Sequence, residues 1–268
     1  MNVQAPVSHL LSDEEVAHYH EHGYVIPKWR LPDDLLKRMQ DDLEKLLAEK
    51  GTDVSNSIFC PHIFEGGEKW LDYASIPEML DMVEQVMGPD ILLWGTTVFG
   101  KPAHSGKKIP WHQDGEYWPI RPLATCSAWI ALDPATPENG CLRVIPGSHK
   151  RKRLMGHTQN DSKDLVLNQE LNQDEYDEAT AVDIVLEPGQ FSLHDVYLAH
   201  GSDPNRSDQR RAGYVCRYQP TTSHFDREYG AELQARSGNQ VDFVNRPLWL
   251  LRGEDKCGQN DLEHGHRS

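Results

Sequence analysis

Trp111-His112-Gln113-Asp114 sets an imidazole and a carboxylate two residues apart. On an extended strand, residues i and i+2 project from the same face, so His112 and Asp114 can grip one ion from a single strand. A second imidazole is available downstream, in Ala199-His200-Gly201-Ser202. Two histidines and a carboxylate form the facial ligand set of non-haem Fe(II) sites, which leaves the opposite coordination positions open. An H-x-D pattern by itself occurs by chance in many chains. Its surroundings have to carry the reading.

Those surroundings are β-like. From Ile91 onward the chain runs in short apolar stretches, 92–99, 127–132, 142–145, 184–186, 190–193 and 213–218. Turn residues separate them, as in Asp133-Pro134, Glu138-Asn139-Gly140, Pro146-Gly147 and Glu187-Pro188-Gly189. The first quarter is helical instead. Ser12 and Glu15 make a capping box ahead of Val16, predicting a short helix that ends near Gly23. From Pro32, Leu35, Leu36, Met39, Leu43, Leu46 and Leu47 recur at helical spacing, with Gly51 as the stop. A third helix over 76–87 gathers Met79, Leu80, Val83 and Val86 on one face.

Helices followed by many short strands predict an α+β, mainly β protein built on an antiparallel sandwich or barrel. No repeat or long linker divides the 268 residues, so 1–268 reads as one domain. Its parts are helices over about 12–88, a strand core over about 91–252 and a polar tail, 253–268. The segment 156–181, rich in Asn, Gln, Asp and Glu, reads as a surface excursion and a candidate lid.

Composition narrows the partners. With 42 acidic against 27 basic residues the net charge is -15, which argues against nucleic acid or an anionic membrane. No apolar stretch is long enough to span a bilayer. The start, Met1-Asn2-Val3-Gln4-Ala5-Pro6, lacks the basic and apolar regions of a signal peptide. Five cysteines, Cys60, Cys126, Cys141, Cys216 and Cys257, show no C-x-x-C spacing and read as reduced thiols. The expectation is a cytoplasmic enzyme of small molecules, monomeric or homodimeric.

Arg210 and Arg211 follow His200 across the turn Asp203-Pro204-Asn205, so a returning strand brings one of them towards the candidate metal. A buried guanidinium there would fork a carboxylate, and Arg210 is the better candidate for a solvated position. Other histidines compete less well. His18, His20 and His22 lie on an acidic amphipathic helix and read as a solvated face. His194 and Asp195 are strand neighbours that face opposite ways, so they cannot repeat the H-x-D geometry. His62 and His104 are candidates for the mouth of the site. The run His149-Lys150-Arg151-Lys152-Arg153 reads as a solvated basic loop.

A longer pattern joins these features. Gly106-Lys107-Lys108-Ile109-Pro110-Trp111-His112-Gln113-Asp114 is followed by Pro119-Ile120-Arg121-Pro122, Ala128-Trp129 and Asn139-Gly140-Cys141-Leu142. Then come Pro146-Gly147-Ser148-His149-Lys150, His200-Gly201-Ser202 and Arg211. In this order and over most of 76–218, the chain resembles the phytanoyl-CoA dioxygenase family of Fe(II)/2-oxoglutarate oxygenases. The resemblance implies a double-stranded β-helix (jelly-roll, cupin-like) core with His112, Asp114 and His200 as iron ligands. It implies Arg211 on the C5 carboxylate of 2-oxoglutarate, Ser202 assisting, and Gln113, Trp129 and Thr97 lining the cosubstrate pocket. The implied reaction consumes dioxygen and 2-oxoglutarate, releases succinate and CO2, and hydroxylates a small organic substrate. Desaturation remains open as a variant outcome. Halogenation would need a small residue in place of Asp114, and a non-catalytic binding member would show a broken triad or lack the arginine. A cupin-type enzyme without 2-oxoglutarate would show an extra ligand near the H-x-D, for which Glu116 is the only neighbour.

Overall fold

Ser12 accepts a hydrogen bond from the Glu15 N–H at 3.2 Å, while the Glu15 carboxylate accepts one from the Ser12 N–H at 2.8 Å. That reciprocal cap opens helix α1 (Asp13–His22), which closes on Gly23 at φ 85. The structure, a computed structural model, describes residues 10–50, 57–104, 107–160, 162, 165, 167, 169–236 and 241–266. Strand β1 (Tyr24–Val25) follows α1, and α2 (Asp33–Lys50) buries the expected stripe of Leu36, Met39, Leu43, Leu46 and Leu47. Gly51, the expected stop, lies outside the described residues. After β2 (Ile58–Phe59) comes α3 (Glu68–Ala74), a short helix the apolar spacing does not announce, then α4 (Pro77–Met87) with proline in its first turn.

The rest is mostly strand. In chain order there follow β3 (Ile91–Lys101), β4 (Ile109–His112), β5 (Ile120–Arg121), β6 (Cys126–Ala131) and β7 (Leu142–Val144). Next are β8 (His157–Gln159), β9 (Gln169–Leu171), β10 (Val182–Ile184), β11 (Phe191–Asp195) and β12 (His200–Ser202). The chain ends with β13 (Arg211–Pro220), β14 (His224–Phe225), helix α5 (Arg227–Arg236) and β15 (Trp249–Arg252). The expected strand at 184–186 ends at Ile184, because Leu186 leaves the ladder for an isolated bridge with Ala135.

A large antiparallel sheet has the order β1-β11-β6-β13-β3-β15, with β2 also on β3; a small one has the order β10-β7-β12-β4. One face of the large sheet packs on the helices, where Tyr214, Cys216 and Tyr218 meet Met39, Leu43 and Met79. The other face, through Trp129, Ala131 and Val215, meets Val144 and Ile184 of the small sheet. Strand alternation therefore turns Arg211, Gly213, Val215 and Arg217 of β13 towards the space between the sheets. Opposite them on β3 the register slips from Arg217↔Gly95 to Tyr218↔Leu93, which makes Trp94 the extra residue of a β-bulge.

Three surface segments are held by contacts of their own. The segment 156–181 carries a hairpin of its own, β8 against β9, and Leu171 packs with Trp111 and Met155. The basic run is exposed, as expected, and also ion-paired: Lys150, Arg151, Lys152 and Arg153 pair with Glu21, Glu175 and Asp195, while His149 alone is buried, on the His20 carbonyl. The tail is anchored by Asn260, which accepts from the Phe225 N–H at 2.9 Å and donates to the Ser223 carbonyl at 3.0 Å. Among the described residues no helix is long and apolar enough to cross a membrane.

Candidate active site

His112 is the last residue of β4, and Asp114 opens a 3-10 turn, Asp114–Tyr117. The strand thus ends two residues sooner than the i, i+2 argument assumes. Gln113 between them stays extended (φ -115, ψ 130), and that alone keeps His112 and Asp114 on one side. Antiparallel pairing of β12 with β4 sets His200 directly opposite His112. A Cβ at Gly201 would come 3.0 Å from the Ile109 carbonyl oxygen, so the close approach of the two strands needs glycine there.

The three side chains converge. The Nε2 atoms of His112 and His200 lie 3.6 and 3.7 Å from Asp114 Oδ1, and one donor atom from each residue falls within 4.8 Å of the others. Among the described residues this is the only trio of its kind; His18, His20 and His22 do not form one. Both imidazoles are oriented from behind. His112 Nδ1 donates to the Pro110 carbonyl at 2.8 Å and His200 Nδ1 to the Leu198 carbonyl at 2.9 Å, leaving Nε2 of each as a lone pair. Burial pushes His200 down to about 3, so its ring is neutral at pH 7. Burial works against the Asp114 carboxylate, but the imidazoles of His200, His112 and His194 outweigh it and hold the group well below the usual range. Two imidazole Nε2 atoms and a carboxylate oxygen thus meet at one point. A divalent cation fits that donor set, and iron is the metal of this ligand type.

Arg211 is buried with Trp129 beneath it, guanidinium carbon to ring centroid 5.3 Å. Its Nε has no partner, and no carboxylate pairs with it among the described residues. Burial lowers it to about 10, which still leaves it charged at neutral pH. A buried unpaired cation calls for an anion. Lys101, directly opposite Arg211 in the ladder, reaches the Ser202 hydroxyl at 2.7 Å and its carbonyl at 3.3 Å. Burial, then Arg211, push Lys101 down to about 6. Ser202 stands two residues from His200 on β12, roughly 7 Å along the strand. Arg210 faces away and forks onto Asp133 at 2.7 and 3.1 Å, so it is partnered rather than solvated.

The remaining expected residues have other contacts. Gln113, pointing opposite to its neighbours, donates to the Tyr197 carbonyl at 2.6 Å and accepts from the Met155 N–H at 2.7 Å, which clamps two loops behind His112. Thr97 accepts from Arg217 Nη1 at 2.7 Å. Of the candidates for the mouth, His104 pairs with Asp208 on the surface, and His62 is buried on Thr96. Sequence reasoning set His194 aside, yet its Nε2 lies 3.9 Å from Asp114 Oδ2 while Asp195 turns outward to Lys152. It also passed over Lys101 and Arg217. Strand parity relative to the two arginines would have flagged both, had the register been known.

Comparison with known proteins agrees with this geometry. The sequence profile of the family described as Phytanoyl-CoA dioxygenase (PhyH) matches residues 19–213. The chain is 28% identical over 285 residues to the peroxisomal phytanoyl-CoA dioxygenase of Bos taurus, covering 94% of this chain and 84% of that protein. Its identity to the Homo sapiens protein of that name is 29% over 242 residues, covering 81% and 71%. Among solved structures, the apo form of the non-heme monooxygenase ThoJ superposes with a TM-score of 0.68 at 25% identity, over 91% of this chain and 85% of that one. Sequence, fold and the converging donors therefore agree: the chain belongs to the phytanoyl-CoA dioxygenase family of Fe(II)- and 2-oxoglutarate-dependent oxygenases.

Proposed function

We propose that the protein hydroxylates a small organic molecule with Fe(II), 2-oxoglutarate and dioxygen, releasing succinate and CO2. The observation that carries this is the convergence of His112 Nε2, His200 Nε2 and an Asp114 oxygen, each aimed from behind or charged at neutral pH. Iron with bound 2-oxoglutarate supplies oxygen activation coupled to oxidative decarboxylation of the cosubstrate.

The chain's own residues do the rest. His112, Asp114 and His200 would hold the metal through two imidazole nitrogens and a carboxylate oxygen. Arg211 forks the C5 carboxylate of 2-oxoglutarate, with Trp129 as its floor, and Ser202 and Lys101 complete that end of the pocket. Thr97 borders it from β3. Gln113 acts at one remove, by bracing the loops behind His112. The buried indole of Trp129 keeps bulk water from the Arg211 guanidinium above it. Asp114 occupies the position that a halide would need, which favours hydroxylation over halogenation.

Two antiparallel sheets enclosing the triad support a double-stranded β-helix core and a single domain over the whole chain. Five free cysteines, four of them buried, support a reducing, cytoplasmic setting. The test is Fe(II)-dependent conversion of 2-oxoglutarate to succinate, screened with candidate small molecules for stimulation. Asp114→Ala is expected to abolish it, and retained turnover in that variant would refute the ligand set.

A further inference from the structure

Two more arginines are buried beside the site without a direct ion-pair partner among the described residues. Arg217, on the same face of β13 as Arg211, is 8% exposed, and Arg246, just before β15, is 6% exposed. Arg217 donates to the Thr97 hydroxyl, and its Nε has no partner. Arg246 donates from Nε to the Asp242 main-chain carbonyl at 3.1 Å; the Asp242 carboxylate is taken by Asn245 at 3.0 and 3.1 Å. Neither guanidinium pairs with a carboxylate among the described residues.

The backbone is shaped to bring them together. A Cβ at Gly95 would lie 3.2 Å from Arg246 Nη1, and Gly95 is the register partner of Arg217. The adjacent bulge turns Trp94 so that its ring lies 6.0 Å from the Arg217 guanidinium carbon and 5.9 Å from that of Arg246. The indole N–H of Trp94 and the hydroxyl of Ser127, the residue facing Arg217 on β6, are buried without partners. The same cross-strand row continues from Ser127 to His194, beside Asp114. Arg217 and His194 are therefore two strand spacings apart, roughly 10 Å.

We infer that Arg217 and Arg246 seat an anionic group, a carboxylate, of the primary substrate, so that the enzyme acts on small organic acids. The inference rests on the proposed function for its charge balance. With divalent iron, Asp114, dianionic 2-oxoglutarate and Arg211 in place, the charges of that site cancel. Asp114 is then spent on the metal, and the two further cations are left for a second anion. The fork of each guanidinium suits a carboxylate, and the row from Arg217 to His194, roughly 10 Å long, matches the length of a molecule of a few carbons.

The test uses the full chain saturated with Mn(II) and 2-oxoglutarate, so that Arg211 is occupied. Thermal unfolding is followed while acetate, butyrate and benzoate are titrated at constant ionic strength, each against its primary amide. The carboxylates are expected to raise Tm saturably and the amides at least tenfold more weakly. In R217Q and R246Q the carboxylate response disappears while the rise in Tm with 2-oxoglutarate is kept. R217K and R246K, which keep the charge but lose the fork, respond weakly. Equal response to acids and amides, no saturable response to any of the three acids, or an unchanged response in R217Q and R246Q overturns the inference. So does loss of the 2-oxoglutarate response in R217Q, which would make Arg217 the cosubstrate arginine. Absence of any 2-oxoglutarate response in the unaltered protein, with the carboxylate response intact, counts against the proposed function and leaves the seat standing.

Discussion

His194 Nε2 lies 3.9 Å from Asp114 Oδ2, the carboxylate oxygen that His112 and His200 leave to one side. A buried imidazole in that place can fix the rotation of the carboxylate, and partners behind a ligand typically govern metal affinity by about 10–100-fold. His194→Ala is expected to weaken Fe(II) binding by about that factor, with His194→Gln recovering most of it. Metal titration decides. A change in thermal stability with unaltered affinity would reduce His194 to packing.

The proposed function puts Arg211 on the far carboxylate of the cosubstrate. A charge-assisted pair contributes about 1.5–3 kcal/mol, which corresponds to roughly 10–150-fold in affinity. Arg211→Ala should raise the 2-oxoglutarate requirement by such a factor and leave Fe(II) affinity nearly intact. Equal losses in both would mean that the side chain supports the fold rather than the cosubstrate.

Gly213 gives the same pocket a steric test. A Cβ there would stand 2.4 Å from Trp129 Cζ2, and Trp129 is the floor under Arg211. Gly213→Ala must push the indole aside, at about 1–3 kcal/mol of stability. We expect weaker 2-oxoglutarate binding with unchanged metal titration. Unaltered cosubstrate binding would show that Trp129 does not shape the seat.

His62 predicts part of the acid sensitivity. Burial, and then Arg246, push it from 6.5 down to about 3. Below pH 6.5 the unfolded chain takes up a proton there that the native ring refuses, so the stabilising term is complete above 6.5 and erodes as pH falls towards 3. The slope is up to about 1.4 kcal/mol per pH unit. Denaturant midpoints at neutral pH and near pH 5 should differ less in His62→Asn than in the unaltered protein. An unchanged difference would refute the assignment.

Local signals were the legible ones. Ser12 and Glu15 mark the first helix because a cap is written within four residues, and the leucine stripe marks the second because burial repeats at helical period. The converging trio of His112, Asp114 and His200 was legible because H-x-D is also local and only one distant His200 had to be added. Across-sheet register is different: nothing near Gly95, Ser127 or Arg217 says that they form one row. His194 was set aside by a parity rule that is right about Asp195 but silent on which face looks inward. The short helix Glu68–Ala74 lacked a long enough apolar period to be seen, although Trp70 and Tyr73 are its buried residues.

Strand β13 sits in the middle of the large sheet, between β6 and β3, yet it is the last long strand in the chain. Its Arg217 reaches Thr97, 120 residues earlier. During synthesis, β3 and β6 therefore wait with open edges until β13 has emerged, and ladders of such high contact order close slowly. The arginines of β13 and the cradle around them are assembled at the end of that wait, so the pocket proposed for iron and cosubstrate exists only once this late strand is seated between β6 and β3.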